Sequence, residues 1–127
     1  MKKILIIDDD QFFGKTLEAA LPQGKYEVVQ AEDGEQGIEK LKNENPDLVI
    51  LDMMMHKMDG STFLKSLQES KDLPHPPILV SSNLSSVKKI SDVMAMGVAG
   101  YVIKSDESMA SIVQDIERIL EAKKDTN

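Results

Sequence analysis

Short apolar runs alternate with segments of helical periodicity along the 127-residue chain. Each run has the length and the content of β-branched, aromatic or Leu residues typical of a strand, and Gly, Pro or Asp residues lie near its ends. After each run, apolar residues recur three or four positions apart, as they do on one face of a helix. The pattern predicts five strands, each followed by a helix, over 3–8, 26–32, 47–52, 77–82 and 100–104.

The alternation of strands and helices predicts the fold class. The last helix has the clearest periodicity and is predicted over 105–123, so we interpret 1–123 as one domain and 124–127 as a frayed tail. Five strand and helix alternations imply a doubly wound α/β fold, with helices on both faces of a parallel sheet. Ligands of such folds bind at the carboxyl ends of the strands, near the point where the strand order reverses.

Composition excludes several classes of function. The net charge of −7 gives no electrostatic footprint for a nucleic acid, and the absence of cysteine excludes disulfides and thiolate metal sites. No apolar run approaches the roughly 20 residues of a membrane span. The N-terminal "MKKILIIDDD" has too short an apolar stretch for a signal peptide and is interpreted as the first strand. We expect a cytoplasmic protein with neither a nucleic acid nor a membrane as its partner.

Carboxylates gather at the predicted functional edge of the sheet. Asp8, Asp9 and Asp10 follow the first strand, and Asp52 ends the third. Converging carboxylates repel one another unless a cation or protons reside among them. Magnesium prefers oxygen ligands and usually joins one or two carboxylates to a phosphate oxygen. The sequence therefore predicts a site for Mg²⁺, or for Mn²⁺.

Two further side chains turn this acidic edge into a predicted phosphoryl site. Ser81 near the end of the fourth strand offers a hydroxyl that can donate to an anion, and Lys104 at the end of the fifth offers a positive charge. Carboxylates also act as nucleophiles and form aspartyl phosphates. A buried strand would hold Asp52 rigidly for in-line attack on phosphorus.

Four segments in order carry a resemblance to a known family over nearly the whole chain. They are "ILIIDDD", "LVILDMMMHKMDG", "PILVSSN" and "GVAGYVIKS". Together they resemble the receiver domain of bacterial response regulators, as in chemotaxis regulators. The resemblance implies a flavodoxin-like fold with strand order 2-1-3-4-5 and a place in a two-component phosphorelay.

The resemblance also implies a role for each acidic residue of the site. Asp52 is similar to the phosphoacceptor of that family. Asp8 and Asp9 resemble the acidic pair that holds Mg²⁺ directly or through water, together with Asp52. The backbone carbonyl of Met54 would be a further ligand of the metal.

The remaining roles concern the switch and the lifetime of the phosphorylated state. Ser81 stands where the family usually has threonine as the switch hydroxyl, and Lys104 would pair with the phosphoryl group. Tyr101 would be the aromatic residue that swings inward on activation. Met54 and Asn83 would flank the path of the water that hydrolyses the acyl phosphate. A methionine cannot orient that water strongly, so we expect slow self-catalysed hydrolysis.

The same resemblance implies that the protein is a phosphoacceptor and not a turnover enzyme. The donor would be a phosphohistidine on a sensor histidine kinase or on a histidine phosphotransfer protein. Phosphorylation of Asp52 would alter the face formed by the fourth helix, the fifth strand and the fifth helix, which would bind a downstream protein or a second copy. The sequence leaves open whether the chain is a stand-alone regulator or an excised module.

Two positions depart from the family pattern. His56 replaces a proline in the loop after the acceptor, so the loop gains a titratable ring. Ser105 replaces the proline that normally follows the lysine through a cis bond. A cis bond to serine would cost ~3 kcal/mol over trans, so either the bond is trans or tertiary contacts hold it under strain. Ser105 is also predicted to cap the last helix.

Three alternatives remain at this point. A phosphatase of the haloacid-dehalogenase type also uses a strand-end aspartate and Mg²⁺, but Phe12 occupies the place of its usual Thr or Val. A flavodoxin-like flavin binder shares the fold, but three aspartates would repel the flavin phosphate. A degenerate receiver would bind its partner without phosphorylation, as Ser105 and His56 suggest.

Overall fold

Strands and helices alternate through the whole of the described chain. The computed structural model describes residues 1–125, with side-chain detail through residue 122. Within this range the elements follow one another in the order β1 (Lys2–Ile7), α1 (Gln11–Ala20), β2 (Tyr26–Ala31), α2 (Gly34–Glu44), β3 (Leu48–Leu51), α3 (Gly60–Glu69), β4 (Ile78–Ser82), α4 (Val87–Met94), β5 (Gly100–Ile103) and α5 (Met109–Asp125).

The five strands form one parallel sheet in the order β2-β1-β3-β4-β5. Ile7 lies opposite Leu51 in the register of β1 and β3, and Leu51 lies opposite Val80 of β4. The strand order reverses beside β1, where β1 pairs with both β2 and β3. This arrangement confirms the predicted doubly wound fold and brings the carboxyl ends of β1, β3, β4 and β5 to one edge.

Each face of the sheet carries its own hydrophobic core. On one face, Phe13 and Leu17 of α1 and Ile112 and Ile116 of α5 pack on side chains such as Ile6. On the other face, side chains of α2, α3 and α4 cover the alternate positions of the same strands. All four residues of β3 are buried because helices cover both sides of the central strand.

The start of the last helix differs from the prediction. The prediction that Ser105 caps this helix is wrong, because α5 begins at Met109 and Ser108 accepts the hydrogen bonds of its first turn. The Ser108 hydroxyl accepts from the Ser111 N–H at 3.1 Å. A turn closed by the Asp106 N–H on the Ile103 carbonyl, at 3.0 Å, occupies the residues between β5 and the helix. Apolar spacing cannot reveal such a turn, because the spacing fixes only the buried face.

The other end of α5 bears on the predicted domain limits. The helix extends to Asp125 and so passes the limit predicted at residue 123. Residues 126–127 of the predicted tail lie outside the described residues. The limits of 1–123 for the domain and 124–127 for the tail stay a prediction.

A close packing contact fixes the loop between β3 and α3. Gly60 lies so near the start of this loop that a Cβ there would stand 2.7 Å from the Met53 Cα and 3.0 Å from the Asp52 carbonyl oxygen. The Gly60 N–H donates to the Met53 carbonyl at 3.2 Å. Only glycine permits this approach, and the contact holds the chain in place directly after Asp52.

Candidate functional site

Three carboxylates meet where β1 and β3 end. One carboxylate oxygen from each of Asp8, Asp9 and Asp52 lies within 4.8 Å of the other two. The Asp52 N–H donates to the Ile7 carbonyl at 3.0 Å, so the sheet hydrogen bonding continues into the site. Asp8 and Asp52 are buried, whereas Asp9 is partly exposed. The predicted grouping of these three residues is thus present. The side chains offer only carboxylate oxygens, the type of ligand that Mg²⁺ and Mn²⁺ prefer.

Lys104 supplies the positive charge of this cluster. Its Nζ lies 2.6 Å from Asp8 Oδ2 and 3.6 Å from Asp52 Oδ2. The Lys104 side chain is only 12% exposed. The backbone N–H of Lys104 donates to the Ser82 carbonyl at 2.9 Å. The ammonium therefore belongs to the interior of the site and is not a surface charge.

The peptide bond after Lys104 is trans, as are the other peptide bonds of residues 1–125. The Ser105 N–H, a donor that proline would lack, donates to Asn83 Oδ1 at 3.1 Å. Lys104 thus reaches the acidic cluster without a cis bond. Asn83, which we expected to influence hydrolysis, has one of its oxygen acceptor positions engaged by this contact.

Burial changes the proton affinity of Asp8. Removal from water raises the pKa of Asp8 to about 6, and the Asp52 charge acts in the same direction. The ion pair with Lys104 and the Asp10 N–H, which donates to Asp8 Oδ1 at 2.8 Å, act in the opposite direction. Burial therefore disfavours the charged form of Asp8 even with Lys104 beside it.

Ser81 is fully buried, and its Oγ has no hydrogen-bond partner among the described residues. Because Leu51 and Val80 lie opposite each other, Asp52 and Ser81 follow them on neighbouring strands at the same edge of the sheet. A buried hydroxyl without a partner is unfavourable by roughly 1–3 kcal/mol. The hydroxyl is thus available to a group that enters the site.

Tyr101 is hydrogen-bonded to the loop between β4 and α4. Its hydroxyl donates to the Leu84 carbonyl at 2.7 Å, and the side chain is half-buried. Burial raises the pKa of Tyr101, so the phenol keeps the proton with which it donates. The residue predicted as part of the switch therefore contacts the segment that follows Ser81.

The loop after β3 borders the open side of the site. The Met54 N–H donates to Asp52 Oδ1 at 3.1 Å, and the Met54 side chain is 56% exposed. His56 Nε2 lies 3.6 Å from Asp9 Oδ2. Together with Leu84 and other residues they line an open cleft of about 450 Å³ beside the acidic cluster. The cleft leaves the Asp9 side of the acidic cluster open to the surroundings.

Two contacts at the site were not predicted from the sequence, although Asp10 itself was expected at this edge of the sheet. Asp10 caps α1, because its Oδ1 accepts from the Phe13 N–H at 3.2 Å. An aspartate placed before an apolar helical segment is a recognised signal for a cap. Phe13 lies with its ring centroid 4.4 Å from Lys104 Nζ. Helical periodicity identifies Phe13 only as a core residue, so no signal in the sequence indicated this contact.

Comparison with known proteins identifies the family. The profile of the response regulator receiver domain matches residues 4–117, which is most of the chain. The chain belongs to this family. This receiver domain is 31% identical over 121 residues to the chemotaxis protein CheY of Bacillus subtilis, a match that covers 94% of the chain and 92% of CheY. Receiver domains act in two-component signalling, with histidine kinases or phosphotransfer proteins and downstream effectors.

Other curated relatives of this receiver domain are longer. It is 36% identical over 103 residues to a probable transcriptional regulator, ycf27, from Porphyridium aerugineum, a match that covers 81% of the chain but 42% of that relative. The alkaline phosphatase synthesis transcriptional regulatory protein PhoP of Bacillus subtilis matches at 33% identity over the same shares. The chain thus spans about two-fifths of the length of several curated relatives that it matches.

Solved structures confirm the receiver fold. The CheY-like receiver domain protein of Methanospirillum hungatei superposes with a TM-score of 0.88 over 100% of this chain and 99% of the other, at 22% identity. CheY4 of Vibrio cholerae superposes with a TM-score of 0.82 over 94% of this chain and 98% of CheY4, at 26% identity. Among the described residues, none of the helices of this receiver domain has both the length and the apolar character that crossing a membrane requires.

Proposed function

We propose that this receiver domain accepts a phosphoryl group from a phosphohistidine onto Asp52. The single observation that carries the proposal is the position of the Asp52 carboxylate, in one cluster with Asp8 and Asp9 and 3.6 Å from the Lys104 ammonium. That arrangement provides a nucleophile, a set of oxygen ligands and a fixed cation in one place. The family assignment favours this interpretation over a phosphatase or a flavin binder.

The transfer would exchange one bond to phosphorus for another. An Asp52 carboxylate oxygen forms the new P–O bond while the P–N bond to the donor imidazole breaks and leaves its electron pair on the nitrogen. The Met54 N–H at 3.1 Å orients one Asp52 oxygen. Lys104 supplies positive charge beside the other. The buried Ser81 hydroxyl donates to an oxygen of the incoming group.

The acidic residues would hold the cofactor. Asp8, Asp9 and Asp52, together with the Met54 backbone carbonyl, would hold Mg²⁺ or Mn²⁺ at the carboxyl ends of β1 and β3. A bound divalent cation supplies charge that offsets the negative charge of the transferring group. The raised pKa of Asp8 fits this assignment, because burial removes its carboxylate from water and a bound cation would stabilise the charged form there.

The output would be a conformational change. Once Ser81 and Lys104 contact the phosphoryl group, the loop after β4 shifts, and with it Tyr101, which bonds the Leu84 carbonyl. The α4-β5-α5 face then changes its shape for a downstream protein or a second copy. The donor would be a sensor histidine kinase or a histidine phosphotransfer protein in the cytoplasm, and neither a nucleic acid nor a membrane would bind directly.

This function makes the domain a phosphoacceptor that catalyses its own phosphorylation and dephosphorylation, and not a turnover enzyme. Some relatives carry an enzyme name, such as protein-glutamate methylesterase/protein-glutamine glutaminase 1 of Oleidesulfovibrio alaskensis, of which this chain covers 34%. The chain matches only that part of the relative. We therefore assign no esterase activity to it.

Intact mass spectrometry tests the proposal. The protein is incubated with Mg²⁺ and acetyl phosphate, and we expect the mass of one added phosphoryl group. Asp52→Ala should abolish the addition, whereas Asp72→Ala, which changes an exposed aspartate outside the cluster, should retain it. Failure of the wild-type protein to accept phosphate from both acetyl phosphate and a phosphorylated phosphotransfer protein would refute the proposal and favour a degenerate receiver.

A further inference from the structure

The Lys104 ammonium lies between carboxylates and an aromatic ring. Asp8 Oδ2 is 2.6 Å from Nζ, and the centroid of the Phe13 ring is 4.4 Å from the same atom. That distance is well within the roughly 6 Å over which a cation is attracted to the face of a ring. The Phe13 ring is the only aromatic ring that contacts the Lys104 ammonium among the described residues.

The ring is held firmly in place. Phe13 is 7% exposed and packs in the core beneath α1 with Leu17. Its N–H donates to Asp10 Oδ1, and the Asp10 N–H donates to Asp8 Oδ1. The chain of hydrogen bonds that fixes the first turn of α1 therefore begins at the carboxylate that pairs with Lys104. The ring and the acidic cluster are parts of one rigid local structure.

A lysine needs such support because its side chain is flexible. Four rotatable bonds separate the Lys104 ammonium from its backbone, and the peptide bond that follows is an ordinary trans bond to serine. The ring excludes water from one side of the ammonium, which strengthens its attraction to the carboxylates on the other side. An aliphatic side chain of similar size would exclude water but would not attract the charge.

We propose that Phe13 is a positioning residue for Lys104, and that its ring holds the ammonium beside the Asp8 and Asp52 carboxylates for phosphoryl transfer. The inference rests on the proposed function of Asp52. Phe13 contacts neither the acceptor nor the donor in this role and acts only through Lys104. The contribution belongs to the aromatic ring, so leucine should not replace it and tyrosine should.

Phosphorylation kinetics test the role of the ring. The rate is measured by intact mass with Mg²⁺ and a range of acetyl phosphate concentrations for wild type, Phe13→Leu, Phe13→Met and Phe13→Tyr. We expect Leu and Met to lower the maximal rate constant by roughly threefold to thirtyfold. The acetyl phosphate concentration for half-maximal rate should change little, and Tyr should stay within about twofold of wild type.

A matched control separates this role from core packing. Phe63 is fully buried on the other face of the sheet, so Phe63→Leu should lower the melting temperature but leave the rate constant unchanged. Melting curves confirm which variants are folded under assay conditions. If the Phe13→Leu variant does not fold, the Phe13→Met variant provides the comparison. A folded Leu or Met variant with the wild-type rate constant, or a Tyr variant as slow as Leu, would overturn the proposal.

A second readout is independent of phosphorylation. In NMR spectra, the ring current of Phe13 should shift the methylene protons next to Lys104 Nζ upfield in wild type and Phe13→Tyr, but not in Phe13→Leu. Identical shifts in all three proteins would overturn the proposed contact. If wild type accepts no phosphoryl group while the ring-current shift is present, the proposed function fails but the position of the ring over Lys104 stands.

Discussion

Lys104 Nζ lies 2.6 Å from Asp8 Oδ2, closer than it lies to any other described carboxylate of the site. The cation thus pairs most closely with one of the residues that we assign to the metal. With Asp8 in the proposed metal site, a divalent cation and the Lys104 ammonium would compete for the same carboxylate. Binding of the metal would weaken the hold of Asp8 on Lys104 and leave the ammonium free for a phosphoryl group on Asp52.

This competition gives a first prediction. Lys104→Met should bind Mg²⁺ more tightly than wild type, because the three carboxylates lose their internal cation. Without divalent cations it should be less stable by roughly 3 kcal/mol, since buried charges lose their partner. Isothermal titration and urea unfolding measure both effects. Lys25→Met, which breaks an exposed pair with Glu117, should change Mg²⁺ affinity and the free energy of unfolding only slightly. Weaker Mg²⁺ binding by Lys104→Met than by wild type would contradict the proposed competition.

The raised pKa of Asp8 gives a dependence on pH. Because the pKa of Asp8 in the folded state is about 6 and its ordinary value is 3.8, the folded state holds this proton more tightly than the unfolded chain. Protonation of Asp8 therefore contributes up to about 3 kcal/mol to the free energy of unfolding. This contribution is fully present below about pH 4 and is lost as the pH rises through 6.

Urea unfolding without divalent cations, at pH 5 and at pH 7, checks this prediction. We expect Asp8→Asn to be more stable than wild type at pH 7, because the variant places no charge in the buried position. The difference in free energy of unfolding between the two proteins should be smaller at pH 5, where Asp8 of the folded wild type takes up the proton. A gap that widens as the pH falls would show that the sign of the shift is wrong.

Asp9 should matter more for the metal than for the fold. Asp9→Asn removes a charged oxygen ligand, so we expect Mg²⁺ affinity to fall by roughly tenfold. The free energy of unfolding without metal should rise, since repulsion among the carboxylates decreases. Thermal melts with and without Mg²⁺ measure both changes. Asp106→Asn, at an exposed position outside the cluster, is the control, and equal Mg²⁺ affinity in wild type and Asp9→Asn would remove Asp9 from the metal site.

A phosphoryl mimic should reveal the path of the conformational change. With Mg²⁺ and beryllofluoride, we expect NMR shifts at Ser81, at Lys104 and across the α4-β5-α5 face together, because one anion contacts the first two and the loop after β4 connects them to the face. Asp52→Ala should show none of these shifts. Shifts confined to the loop of residues 52–60 would contradict the proposed switch.

The lifetime of the phosphorylated state should depend on Met54 and Asn83. We expect slow hydrolysis, because methionine cannot orient an attacking water and Asn83 is engaged with the Ser105 N–H. Met54→Asn and Asn83→Glu should each speed the loss of the phosphoryl group by several-fold, since each adds polar capacity beside the water. Intact mass followed over time measures the decay. Equal or slower loss in both variants would refute this account.

The sequence predicted the strands and the reactive side chains that follow them. The apolar runs located both ends of all five strands to within one residue. The grouping of Asp8, Asp9 and Asp52 followed from the meeting of parallel strands at one edge. The ring of Phe13 over Lys104 could not be predicted, because these residues are distant in sequence and only three-dimensional packing brings them together. The start of α5 was missed because the turn after Ile103 has no apolar signal.

The loop between β4 and α4 has two adjacent attachments to the last strand. The Asn83 side chain bonds the Ser105 N–H just after β5, and the Leu84 carbonyl bonds Tyr101 within it, so the two contacts lie on either side of Lys104. Neither end of the strand can move while the loop stays in place unless a hydrogen bond breaks. The loop and β5 are therefore expected to rearrange together, and the protein should present its partners with two distinct surfaces and few intermediate ones.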